Sequence, residues 1–412
     1  MRIVLGYLNA LNPVEYWSSL FGFVCLKLST TFLDFHNLAP CMVLIRALTY
    51  HISPSRKKSV DYLIDQLLED SERFKKIERF SKSKIWTKRA VFPQLNFKRE
   101  DLLKVSERIE ESLSDSGIDY AVIPLGKQDP EKIADQLSTS LSETSRIFYN
   151  IKAGNLRDDP CGLNLLPMAD LIKKIYEKAG SEACTRFAIA YGGPPETPYF
   201  PASISIRRGV SACLRYAGSL HDKLLSSNGE SLGEILLSLF YPVVQDIRLA
   251  CLDQGFEFIG IDASLSPWME ESAARIIETI SGATFGMPGT LNAIHKLNIS
   301  ISGLSKYFRT TGFNEVMLPL AEDNRLKELG ASGSISAMDL VSMISVSVAG
   351  LDMVILSSSV REKDLAELFR DAMVLAFRKR KPIGIRIILA NASPCEWINL
   401  GRFPKAPVIC LS

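Results

Sequence analysis

A chain of 412 residues, 47% hydrophobic and 23% charged, is long enough for one large α/β domain or two average ones and has the balance of a globular protein. Its net charge of +2 gives no electrostatic case for nucleic acid or an anionic membrane surface as the main partner, and neither is expected. The eight cysteines include no CxxC pair and the four histidines no HExxH spacing, which excludes zinc-ribbon, thioredoxin-type and histidine-rich metal sites. Several thiols, Cys213 and Cys251 among them, sit in apolar periodic segments, as expected of reduced, buried cysteines in a cytoplasmic protein.

Residues 1 to 41 are set apart by composition: Trp17, Phe21, Phe23, Val24, Leu26, Phe32 and Phe35 crowd a segment with few charges. Asn9, Asn12, Pro13 and Glu15 interrupt the apolar run, so it is a poor signal peptide and too broken to span a bilayer. A leader and an extra surface helix both fit. The reading adopted is that translation begins at Met42 and that 42 to 412 form one α/β domain. From there a strand, 43 to 50, precedes an amphipathic helix with Val60, Leu63, Ile64, Leu67, Phe74 and Ile77 on one face. A strand at 89 to 95, a helix bearing Leu102, Val105, Ile109 and Leu113, and a strand at 120 to 125 follow. The alternation continues through a helix at 133 to 141, a strand at 146 to 151, a helix around Met168 to Ala179 and a strand at 187 to 191. Strands alternating with helices predict an α/β fold with parallel pairing.

The second half keeps the rhythm. A long helix from about 232 to 252, bent at Pro242, leads to a strand at 256 to 261 and a helix carrying Ala273, Ile276, Ile277 and Ile280. Further strands are expected at 316 to 320, 353 to 356 and 383 to 389, with helices at 338 to 346 and 364 to 377. Eight to ten covered strands suit either a barrel or one large sheet.

Between the two halves lies Gly192-Gly193-Pro194-Pro195-Glu196-Thr197-Pro198-Tyr199-Phe200-Pro201-Ala202. Four prolines and two glycines define one irregular backbone path that loses little entropy on ordering, a good frame for a ligand. Glu196 and Tyr199 are its candidate ligand-binding residues. Asp262 and Ser264, after the strand at 256 to 261, and Glu322 and Asp323, after that at 316 to 320, occupy strand ends, where α/β sites gather. Asp352 stands beside another strand and, with Ser264, is a further candidate ligand-binding residue. Converging carboxylates, with Asp262, Glu322 and Asp323 in catalytic roles, can bind a divalent cation or serve as acid and base toward a small-molecule ligand. The competing reading is helix capping, as for Ser266 ahead of Pro267 with Glu270 and Glu271 behind it. Gly286-Met287-Pro288-Gly289-Thr290 can receive an anion or simply N-cap the next helix at Thr290. The basic cluster around Trp86, from Arg73 to Arg89, and the run Arg378-Lys379-Arg380-Lys381 are read as solvated surface.

Ile45-Arg46-Ala47-Leu48-Thr49, Thr197 to Ala202, Gly260 to Pro267, Phe285 to Thr290, Leu318 to Asp323, Gly350-Leu351-Asp352-Met353 and Lys381 to Arg386, taken in order, resemble an uncharacterised family, domain of unknown function 711. The resemblance covers nearly everything from Met42 and implies a ten-stranded barrel surrounded by helices, similar to that of pyruvate formate-lyase-like glycyl radical proteins. It implies no activity. Gly401-Arg402-Phe403 does not match the Arg-Val-x-Gly-aromatic segment of radical enzymes, so no radical glycine is assigned. Two functions are left: a small-molecule enzyme, or a non-catalytic binding protein that acts as a homo-oligomer.

Overall fold

A computed structural model describes residues 43–54, 59–95, 101–348 and 351–412. Residues 1 to 42 lie outside these, and with them the expectations about a leader or a start at Met42. Val43 to Ser412 form one compact unit.

The first half alternates five strands with four helices. Strands β1 (Leu44–His51), β2 (Ile85–Val91), β3 (Tyr120–Gly126), β4 (Ile147–Gly154) and β5 (Phe187–Tyr191) are parallel neighbours in chain order. They are joined by α1 (Val60–Phe80), α2 (Leu102–Ser116), α3 (Pro130–Glu143) and α4 (Leu166–Cys184). Both faces of β1 are buried, as a strand covered on both sides requires. The helices start where the local chemistry says they should: Asp101 and Asp129 accept backbone amides of α2 and α3, and Pro130 opens α3. In α4 the helical path is interrupted at Gly180 (φ 81°, ψ −178°), a backbone conformation natural to glycine.

After β5 the chain crosses the proline-rich segment to β6 (Gly209–Arg215), which pairs antiparallel with β1, and β7 (Phe258–Asp262) adds parallel to β6. Between them lie α5 (Ala217–Ser226) and α6 (Leu232–Asp253), the latter opened by a Ser231/Glu234 capping box and continuous through Pro242. Helix α6 is long and apolar enough to cross a membrane by length and composition, with half of its apolar window buried inside the fold. Helices α7 (Ala273–Ser281), α8 (Thr290–Gly303), α9 (Asn324–Ala331) and α10 (Ala337–Met343) precede β8 (Val354–Ser357) and α11 (Glu362–Lys379). The end of the chain supplies β9 (Ile383–Ile385), β10 (Ile387–Ala390) and a hairpin, β11 (Trp397–Leu400) and β12 (Phe403–Pro407).

The result is a mixed α/β fold with a mainly parallel eight-stranded sheet, ordered β7-β6-β1-β2-β3-β4-β5-β9. The ten-stranded closed barrel expected from the resemblance does not form among the described residues. Its expected last strand, 383 to 389, breaks at Arg386. The preceding piece, β9, joins β5 antiparallel, whereas β10 pairs with β8 in a separate two-stranded sheet. The expected strand at 316 to 320 is reduced to a single bridge, Leu265 to Val316. Other corrections are local. Helix α7 is capped by Ser272, not Ser266, and α8 by Gly289, with Thr290 already helical.

Candidate functional site: an arginine-lined cavity

The side chains on the inner face of the sheet are small where the chain must pass over it. Ala47, Ala188, Ala202 and Cys213 cluster with Tyr199, Phe313, Met317 and Val348. A Cβ at Gly384 would come within 2.5 Å of that of Ala202, so only glycine lets β9 approach the proline-rich segment. These small residues leave a cavity of about 240 Å³. Its walls include the third residue of β1 (Arg46), the first of β3 (Tyr120) and the second of β4 and β5 (Phe148 and Ala188). The cavity therefore lies toward the amino ends of β1 to β5, opposite to the usual carboxyl-end placement in parallel sheets. Beyond the carboxyl ends of β1 and β2 the chain just past the proline-rich segment is fastened instead, with Ser205 bonded to the Phe92 and Ile52 carbonyls.

Charge in the cavity is dominated by arginine. Arg46 donates to Glu322 Oε2 (2.5 Å) and to the Pro267 carbonyl (2.7 Å). Arg386 grips Asp352 with Nε and Nη2 (2.6 and 3.0 Å) and reaches Glu322 Oε1 at 3.3 Å. Glu322 thus bridges two guanidiniums, all three side chains being nearly inaccessible. Burial alone would lower the pKa of both arginines, but the facing carboxylates outweigh it and hold them above the ordinary value. Asp352 is pushed upward by burial, against the pull of Arg386.

Arg89, on β2, is different. Its Nε donates to Thr87 and its Nη1 to the Pro198 carbonyl, and its guanidinium lies 5.1 Å from the centroid of Phe200. No carboxylate among the described residues is within ion-pairing distance of it. Burial, aided by the like charge of Arg46, lowers its pKa, yet an arginine stays charged. Three of its five N–H donors have no described partner. Aromatic rings flank these cations: Trp86, Trp268 and Phe403 on one side, Tyr120, Phe148 and Phe200 on the other, each set in mutual edge or tilted contact.

The residues singled out in the sequence divide into two groups. Glu322, Asp352 and Tyr199 line the cavity. Tyr199 donates to the Ser264 carbonyl (3.2 Å), and burial holds its hydroxyl well above the ordinary pKa. Asp262, Ser264, Asp323 and Glu196 stand outside it. Asp262 accepts from Thr197, Ser264 and the amides of Ser264, Phe313 and Asn314, pinning three segments together. Asp323 caps α9 and also accepts from Ser272 and the Ala274 amide. Glu196 turns to Arg207 (2.8 Å). No group of three or more His, Cys, Asp or Glu that could hold a metal occurs among the described residues. Three arginines and the aromatic walls were missed. Arg89 and Trp86, read as solvated surface, face the cavity. The available signal was a lone arginine inside an otherwise apolar strand, as in Leu-Ile-Arg-Ala-Leu of β1.

The model of one protein family, described as Uncharacterised ACR (DUF711), matches residues 43–395. Similar proteins include the UPF0210 protein MK1214 of Methanopyrus kandleri, 24% identical over 341 residues, which are 76% of this chain and 75% of that protein. A UPF0210 protein of Sulfurisphaera tokodaii is 26% identical over 285 residues, 66% of this chain and 63% of that one. Among solved structures, the monooxygenase RslO1 from Streptomyces bottropensis is 10% identical, over 70% of this chain and 98% of that one, with a TM-score of 0.21, too low to bear on fold or function. With its family match extending from residue 43 to 395, the chain belongs to the Uncharacterised ACR (DUF711) family.

Proposed function

We propose that this protein binds a small organic anion with a flat apolar body, and that Arg89 is the anchor for the anionic group. The observation that carries the reading is a cavity-facing guanidinium with no carboxylate partner among the described residues, beside two others that Glu322 and Asp352 neutralise. A half-buried cation of this kind, without a described carboxylate beside it, gains most from a carboxylate or phosphate, which can accept the planar fork of donors at two points. The aromatic walls provide the apolar contact. Arg46, Glu322, Asp352 and Arg386 form the rigid frame that holds the site open.

The test is thermal unfolding and calorimetric titration with benzoate, its neutral analogue benzamide, and phenyl phosphate. Benzoate or phenyl phosphate at 100 times its Kd should stabilise the fold by about 2.7 kcal/mol. Benzamide should not, and Arg89→Gln should remove the effect. A neutral ligand binding as well as the anions, or an Arg89→Gln protein that still binds them, overturns the reading.

A second reading, catalysis, rests on Asp352. It faces the cavity and burial raises its pKa, which makes it the lining carboxyl suited to hold and pass a proton. Turnover of the bound anion that disappears in Asp352→Asn while binding persists would support it. We read the two opposed strand sets, β1 to β5 against β6, β7 and β9, as halves of a pyruvate formate-lyase-like barrel lacking the radical segment. The six cysteines in the described residues are free, and Cys184, Cys213 and Cys251 are buried, which supports work in a reducing compartment such as the cytoplasm.

A further inference from the structure

The hairpin β11 and β12 lies beyond the residues matched by the family model, yet its tip forms part of the cavity wall through Arg402 and Phe403. The hairpin is anchored at both ends: Leu400, next to the turn, and Ala406, near the base, are buried, and just past the hairpin the Ile409 amide bonds to Ile355 of β8. The tip reaches both aromatic walls. Phe403 tilts against Trp268 at 6.1 Å, and the Arg402 guanidinium lies 5.4 Å from the ring centroids of both Tyr120 and Phe148.

The electrostatics of the tip are unbalanced. Arg402 donates through Nε and Nη2 to a single oxygen of Glu182 (2.8 and 2.6 Å) and through Nη2 to the Ser145 carbonyl (2.7 Å). The other oxygen of Glu182 is taken by the buried Arg186 (3.0 and 3.1 Å). One carboxylate therefore serves two guanidiniums and a unit of positive charge is left over at the mouth. The Nη1 of Arg402 has no described hydrogen-bond partner. Arg89 leaves a second unit of positive charge deeper in the cavity, and the two cations flank one run of touching rings, Phe200, Phe148 and Tyr120.

We propose that the hairpin tip is a second anion-recognising element, so that the ligand carries two anionic groups on a planar apolar body, one held by Arg89 and the other by Arg402. This rests on the anion-binding reading above and narrows it from a ligand with one anionic group to a ligand with two. It also makes the hairpin the part of the chain that sets selectivity.

Isothermal titration of the full chain with benzoate, isophthalate and terephthalate separates the two ideas. At least one dicarboxylate should bind about tenfold more tightly than benzoate, a gain of about 1.4 kcal/mol. Arg402→Gln should erase most of that gain while weakening benzoate much less, and Arg89→Gln should weaken every ligand. Arg402→Lys, which keeps the charge, should retain part of the preference. Benzoate binding that depends on Arg89, with no advantage for either dicarboxylate or with Arg402→Gln weakening benzoate and dicarboxylate equally, overturns the hairpin proposal and leaves the anion reading standing. Failure of all three ligands, with phenyl phosphate also inert, overturns both.

Discussion

His51, the last residue of β1, shows how much a single buried side chain can say about pH. Its Nε2 meets Ser211 Oγ at 2.7 Å, its Nδ1 has no partner, and burial together with Arg207 lowers its pKa to about 3. The folded protein therefore keeps the ring neutral where the unfolded chain binds a proton below about pH 6.5. The contribution is complete above that pH and is lost as pH falls toward 3, by up to about 1.4 kcal/mol per unit. Urea unfolding from pH 7 to pH 4 should show this acid slope, and His51→Gln should flatten it. An unchanged slope in the variant would assign the acid sensitivity to other groups. The residue identities of the candidate site were only partly legible. Glu322 and Asp352 were recognisable because the sequence reads them beside strands, although the strand expected before Glu322 does not form, and Tyr199 because it lies in a shaped loop. Asp262 and Asp323 looked the same in the sequence, but five amide and hydroxyl donors around one and the start of α9 around the other commit them to holding the fold. Part of that saturation is local, as at the start of α9, but the rest comes from neighbours more than 50 positions away, which no local pattern records.

At the scale of elements, the proline-rich segment is the one whose importance was visible beforehand, and its composition explains its behaviour. Fixed φ angles at the prolines and positive φ at Gly192 and Gly193 thread it along the inner face of the sheet. There Asn150 Nδ2 holds the Pro201 and Ser203 carbonyls (2.7 and 2.9 Å) and Arg89 holds that of Pro198. The segment lines the cavity with Tyr199, Phe200, Pro201 and Ala202 while Glu196 is turned away. Its fit against β9 gives a sharp test. Gly384→Ala places a methyl group within 2.5 Å of the Ala202 Cβ and should cost about 1–3 kcal/mol, read as a lower urea midpoint. Adding Ala202→Gly should recover a large part of that loss, since the two sites share one contact. Purely additive effects would place the strain elsewhere. The hairpin β11 and β12 and strand β6 gave no such advance notice. β6 includes glycine, serine and cysteine among its seven residues and follows a loop of serines and arginines, and the hairpin strands are partly exposed, so neither carries the continuous apolar run by which the other strands are read.

Over the whole molecule, the Arg46, Glu322, Arg386 and Asp352 network joins parts of the chain that the backbone ladders leave apart. Arg46 belongs to β1, Glu322 to a short turn before α9, and Arg386 to the break between β9 and β10, 276 and 64 residues from the carboxylate they share. Glu322→Gln leaves two buried guanidiniums short of charge and should destabilise the fold by about 3 kcal/mol or more, with Arg46 the more exposed to the loss because Arg386 keeps Asp352. A melting temperature unchanged by the substitution would show that water or a bound anion, and not Glu322, balances these arginines. The sequence by itself determined the α/β class, the order of the first five strands and four helices and the family, because these rest on hydrophobic period, caps and contiguous motifs. Only the tertiary structure decided that, among the described residues, the sheet runs out at β7 and β9 without closing, that the cavity lies at the amino ends of β1 to β5, and that its chemistry is cationic. Those outcomes come from pairings between distant segments and from the ratio of guanidiniums to carboxylates that folding brings into one small volume, and neither quantity exists in the unfolded chain.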